Sequence, residues 1–336
     1  MRNILVILIA VLTCAACAGE PAFAQLTQTT WQGDVNTNWF EDDNWSGSVV
    51  PDDTFEVVIP HNPTGGSVWP VIDNSEVDAE AGKLTMTVSG GTRAKLTIQS
   101  GSVLILGNGG TLTSTVDGDL VLGDGSLPYG SLKINGTHTI TGKGGTIELK
   151  EKSSIIPLND TDDLLILTGD SGCTGYPDDR ACSLTVFGIG YIAVRLDNRA
   201  FVVGKDAGGT PLKLDGYDMT GTSVGWWIAE NGGSIAIGTD ITGACTWLTK
   251  ANAPGSFLLG HTDVGDGCVA ATGEVILKSG LLSVLDGSRF CTSGKLTWKS
   301  VDVNGTPSQA QIVTTGAATA TFGLGSASSC TACNVE

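Results

Sequence analysis

A chain of 336 residues is long enough for one large domain or two modest ones. Its net charge of −17 argues against nucleic acid and anionic lipid as partners. Only 16% of residues are charged, against about 25% in an average domain, and 47 glycines punctuate the chain, which points to an all-β fold of short strands and frequent turns.

The first 24 residues read as an export signal. Arg2 supplies the positive start, Ile4–Leu12 the apolar stretch, and Ala22-Phe23-Ala24 a small-residue cleavage site before Gln25. The apolar run is too short to span a bilayer, and nothing later reads as transmembrane, so no membrane insertion is expected. Lipidation at Cys17 is the lesser alternative, because Cys14-Ala15-Ala16 lacks the usual leucine. The expected compartment is extracellular or the surface of a bacterial cell.

Residues 25–83 place Trp31, Trp39 and Trp45 in a polar, acidic segment, before Pro51 and a strand at Phe55–Ile59. A solenoid exposes an open edge at its first coil, and large aromatic side chains can cover it, each burying on the order of 150–250 Å². An N-terminal Trp-rich cap is therefore expected. The alternative is a platform of exposed rings for carbohydrate.

Residues 84–149 form a ladder: Leu84–Val88, Lys95–Ile98, Val103–Leu106, Thr111–Val116, Asp119–Leu122, Ser131–Ile134, Thr137–Ile140 and Thr146–Leu149. Leu, Ile or Val alternates with Thr, Lys or Ser, the period-2 signal of a strand with one buried face. Leu96, Ile98, Leu104, Leu106 and Ile134 are expected inside, Lys95, Thr97 and Lys133 outside. The gaps suit the corners of a coil. The fold class is an all-β, single-stranded, right-handed parallel β-helix; a pair of β-sandwiches is the alternative. Strands such as Leu164–Thr168, Leu184–Phe187, Tyr191–Arg195 and Val224–Ile228 continue the pattern to Thr319–Phe322 without a dividing break. The β-solenoid is placed at 84–329 and a Cys-containing tail at 330–336.

The pieces Trp31-Gln32-Gly33, Asn38-Trp39, Asn44-Trp45, Pro51, Val57–Ile59, Pro70-Val71-Ile72 and Leu96–Leu104 resemble β-rich repeat modules of bacterial secreted and cell-surface proteins. The resemblance covers about residues 29–125. It implies a solenoid at a cell surface and is nearly silent on activity.

Beyond the export signal the chain holds seven cysteines. In an oxidising compartment these read first as disulfides. Cys173 and Cys182 flank a turn-like loop and are the favoured pair. Cys330 and Cys333 can close on each other. The odd count leaves one thiol unpaired or pairing between chains. No His or second CxxC lies near Cys330-Thr-Ala-Cys333, so zinc and redox readings lack support.

No catalytic residue stands out. Asp162-Asp163, Asp178-Asp179 and Gly260-His261-Thr262-Asp263 are superficially like the site of β-helical pectin hydrolases, but the Gly-His-Gly and Arg-Ile-Lys of those enzymes are absent. Polar turns explain these aspartates. Lyases of the same architecture use Ca²⁺ and a basic residue; Arg180, Arg195, Arg199 and Arg289 are available, with nothing to fix their placement. His61, His138 and His261 show no metal-ligand spacing, and His138 reads as an outward strand residue. Adjacent tryptophans on a strand point to opposite faces, so one of Trp226 and Trp227 is expected outside. With Trp247 they are the candidates for stacking on a sugar ring, weighed against packing beneath a loop. No cofactor is expected; loosely held Ca²⁺ is compatible with the acidic surface.

The expected function is that of a secreted structural or adhesive β-solenoid, a cell-surface, matrix or filament component without catalysis. Self-association through the C-terminal end is expected, because residues 310–336 offer no aromatic cover. The alternative is a polysaccharide-binding or polysaccharide-degrading β-helix. A solvent-exposed groove where carboxylates and a basic residue converge along successive coils separates the two.

Overall fold

The computed structural model describes residues 25–66, 68–73, 76–124, 129–159, 162–169, 181–205, 210–222, 225–243, 246–249, 256–259, 268–271, 275–277, 280–284, 289–292, 296–298, 310–314 and 319–322. The chain winds as a parallel β-solenoid with three walls. Among the described residues, one is a 12-stranded sheet and the other two have 10 strands each. Within the walls every pairing is parallel, and each strand pairs with its counterparts one coil before and after. A small antiparallel hairpin, Val88–Ser89 with Thr92–Arg93, stands apart from the walls. A pair of antiparallel sandwiches is thereby excluded.

The alternation in the sequence decides which face each residue takes. Leu96, Leu120, Ile147, Val186, Val202, Trp227, Trp247 and Val275 pair in one unbroken column through a 10-stranded sheet. All are buried at 0–1% exposure. Coils stack about 4.8 Å apart, so each inward side chain meets its neighbour one coil away. Full burial stabilises by roughly 1.5–3 kcal/mol per Leu, Ile or Val. Ile98, Leu104, Leu106 and Ile134 are buried too, while Lys95 is exposed and Thr97 and Lys133 are half-exposed, as the alternation predicts.

Corners are set by glycine and by side-chain clamps. A Cβ on Gly145 would collide with the Val116 carbonyl of the preceding coil, so only glycine fits there. Arg93 Nε donates to Asp119 Oδ1 at 2.9 Å, and its Nη2 reaches the carbonyls of Gly118 and Gly144, tying successive coils together.

The N-terminal segment is knitted to the edges of two walls. Thr27–Thr30 pairs with Phe55–Ile59 at the end of the 12-stranded sheet, and Asn38 bridges Val71 at the end of a 10-stranded one. Trp31, Trp39 and Trp45 are buried at 0–1% and belong to the main core. Trp45 meets Trp31 and Trp39 edge-on, with centroids 4.9 and 4.7 Å apart. Trp31 Nε1 donates to the Val68 carbonyl and Trp45 Nε1 to that of Trp39, both at 2.8 Å. Buried Asn44 fixes the loop: its Oδ1 accepts from Val35 N and Asn36 N, and its Nδ2 donates to Asn36 Oδ1 and the Asn38 carbonyl. An exposed carbohydrate platform of these three rings is ruled out by their burial.

One correction concerns His138. It points inward, at 0% exposure, on the same face as Ile140. Two residues apart on a strand, the pair must share a face, and the apolar partner decides which. Its Nε2 lies 2.7 Å from Ser114 Oγ, which accepts from Leu84 N at 2.9 Å. Burial lowers its pKa to about 4, so the ring is neutral.

Candidate functional site

The outward face of the 12-stranded sheet changes character along the solenoid. Thr111, Thr113 and Thr115 stand beside Thr137, Thr139 and Thr141 on the next coil. Those in turn stand beside Leu164, Ile166 and Thr168, and these beside Arg195, Asp197 and Arg199. Asp197 is followed in its column by Thr220 and Thr242. Asp218 and Asp240 precede Met219 and Ile241, which are paired, so the two carboxylates neighbour each other one coil apart.

These residues enclose a groove of about 440 Å³ that crosses four coils, lined by Leu164, Arg195, Asp197, Asp218, Thr220, Asp240 and Thr242. The strands hold it rigidly, since Leu196, Met219 and Ile241 anchor them in the core. Arg199 Nε and Nη2 both donate to Asp197 Oδ2, at 2.9 and 2.5 Å, and that hydrogen bond raises the Arg199 pKa above its ordinary value. The Asp240 carboxyl is raised by burial and then by the charge of Asp218. Carboxylates that accept, guanidiniums that donate, hydroxyls that do both and an apolar wall are the groups that hold a polyol in a cleft.

The site residues singled out in the sequence fare differently. Trp227 and Trp247 are buried at 0% and stacked at 5.6 Å inside the core. As core rings they have no face to offer a sugar, which corrects that expectation for both. Trp226 is the outward member of its pair. It is half-buried and packs, with Phe187, against a second apolar cluster of Phe201, Val203, Ile228 and Leu248. Asp163 serves a turn, accepting from Gly136 N and Asn159 N at 2.6 and 2.8 Å. Cys182 and Cys291 are each disulfide-bonded. Cys173, Cys330, Cys333, Asp178, Asp179 and His261 lie outside the described residues, as do residues 1–24 and 323–336. Among the described residues, three potential metal ligands meet at Glu41, Asp42 and Asp43, within 4.8 Å of one another. They are oxygen donors of the kind Ca²⁺ takes, but they sit open to solvent on a single turn, where acidic groups are common without an ion.

Arg195 and Arg199 stand out in the sequence as scarce arginines, whereas Asp197, Asp218 and Asp240 do not stand out among 35 acidic residues. A signal was present: Asp218-Met219-Thr220-Gly221 and Asp240-Ile241-Thr242-Gly243 share an Asp-apolar-Thr-Gly pattern one coil apart. Compared with family models, with curated proteins and with solved structures, the chain matches none.

Proposed function

We propose that this chain is an extracellular β-solenoid that binds a polysaccharide in the groove of its 12-stranded sheet. The observation that carries it is the convergence of Asp218, Asp240, Asp197 and Arg195 along successive coils around one open cleft. A structural or adhesive role at a cell surface or in a matrix is served by such a glycan contact. The export signal and the disulfides of Cys182 and Cys291 support a compartment outside the cytoplasm, and the three buried tryptophans at the first coils serve as its end cover. Pairing of Cys173 with Cys182 belongs to the same proposal and is checked by non-reducing peptide mapping.

A glycan array and a reducing-sugar assay on the wild type and on Asp218→Asn/Asp240→Asn test the function. Binding that is lost in the double variant, with no reducing ends released, is the expected result. Asp240-dependent release of reducing ends would replace binding by catalysis. Absence of any glycan binding would leave the structural role alone.

A further inference from the structure

The threonines beside the groove form a regular array of their own. Thr111, Thr113 and Thr115 are in register with Thr137, Thr139 and Thr141. Thr115 also pairs with Thr85, and Thr141 with Thr168, so one column holds four threonines on consecutive coils. The six on the two central strands all point outward. Among the described residues, none of those six hydroxyls bonds to a protein group. Columns lie about 6.6 Å apart along a strand and rows about 4.8 Å apart along the axis. Threonine is stiff at χ1 on a strand, so the hydroxyls are ordered before anything binds, which lowers the entropic cost of contact.

We infer that this threonine ladder extends the groove into a track for a neutral polysaccharide chain lying along the solenoid axis. The inference rests on the polysaccharide reading of the groove. Three observations carry it. The array and the groove are continuous: the Thr113–Thr139 column passes through Ile166 to Asp197, Thr220 and Thr242. The coil repeat is close to the advance per sugar of an extended pyranose chain, so successive sugars meet equivalent hydroxyls. The outward residues of both central strands are uncharged, in a chain of net charge −17. Threonine pairs with sugar hydroxyls as donor and acceptor but gives a uronate or sulfate no counter-charge, and the groove carboxylates repel both.

The test uses the mature protein with neutral polymers (hydroxyethylcellulose, xylan, galactomannan), two polyanions (polygalacturonate, alginate) and a short oligosaccharide of the best neutral polymer. The variants are Thr113→Val/Thr139→Val/Thr141→Val, which removes hydroxyls at constant shape and strand preference, and Asp218→Asn/Asp240→Asn; circular dichroism checks that each is folded. Affinity electrophoresis and calorimetry are expected to show binding of a neutral polymer but of neither polyanion. The valine variant should bind that polymer at least ten-fold more weakly, with little change for the short oligosaccharide seated in the groove. Undiminished polymer binding by the valine variant, with loss in the asparagine variant, would overturn the ladder and spare the groove. Tighter binding of a polyanion would overturn neutrality. A wild type that binds none of the polymers would overturn both readings together.

Discussion

The strands at 111–116 and 137–142 show solvent an unbroken field of threonine, whereas those at 195–199, 219–221 and 240–243, on the same face of the same sheet, show arginine, aspartate and threonine. Behind both fields the apolar positions are alike, Val116 and Ile140 in the first, Leu196, Met219 and Ile241 in the second, all buried, although the first wall also holds the buried pair His138 and Ser114. The difference teaches that the solenoid divides its residues between two tasks. Inward positions keep the coils stacked; outward positions are free to change from coil to coil without disturbing the winding, because each coil contacts only its neighbours.

If the inward walls are equivalent, Ile140→Asp and Ile241→Asp should be about equally damaging. Each buries a carboxylate without a partner and is expected to cost more than about 3 kcal/mol, read as a fall in urea midpoint. A mild effect at Ile241 alone would mean that the charged region is loosely packed.

His138 makes the threonine region the acid-sensitive one. Its pKa is about 4 when folded and about 6.5 when unfolded. Below pH 6.5 the unfolded chain takes up a proton that the folded chain refuses, so stability falls with pH and the loss is complete near pH 4. The full drop is on the order of 3 kcal/mol. His138→Leu should flatten this part of the pH profile; a profile that keeps its slope would show that another group is responsible.

The charged region should respond in the opposite sense. The Asp240 carboxyl titrates above its ordinary value, so it favours the fold when protonated, and that contribution disappears as pH rises through the raised value. At neutral pH Asp240→Asn should therefore be neutral or stabilising by a few tenths of a kcal/mol, given solvent screening, while glycan affinity drops. Thermal melts at pH 7 check the sign.

Outward positions set the lower bound. Thr97→Asp is expected within about 0.5 kcal/mol of wild type, in contrast to its buried neighbour Ile98, where the same change should be as costly as at Ile140.

The same contrast explains what could be read from the sequence. Strands such as Lys95–Ile98 and Asp119–Leu122 were legible to the residue, since Leu or Ile at every second position leaves no other period. Met219–Gly221, Asp240–Gly243, Cys268–Ala271 and Arg289–Thr292 were not. All four belong to the 12-stranded sheet, and none carries more than two large apolar residues. The alternation predicts one strand over Tyr191–Arg195, whereas the chain turns a corner between Tyr191–Ile192 and Arg195–Arg199. The groove lies on strands of this weakly patterned kind, so the features that build it also hid it. Stacking on a sugar and packing in the core stay open for Trp227 and Trp247 in the sequence, because only the register with Val202 and Val275, set by coils far apart in the chain, puts both inside.

The two tryptophan clusters sit far apart along the winding, Trp31, Trp39 and Trp45 on the first coils and Trp227 with Trp247 several coils later. A molecule of stacked coils melts as a moving boundary, because losing one coil exposes only the next. Near-UV ellipticity from closely coupled indoles therefore works as two optical gauges on one rod. Replacing the three early rings one at a time by phenylalanine would assign each band to its end, and the order in which the bands fade on heating would give the direction in which the solenoid comes apart.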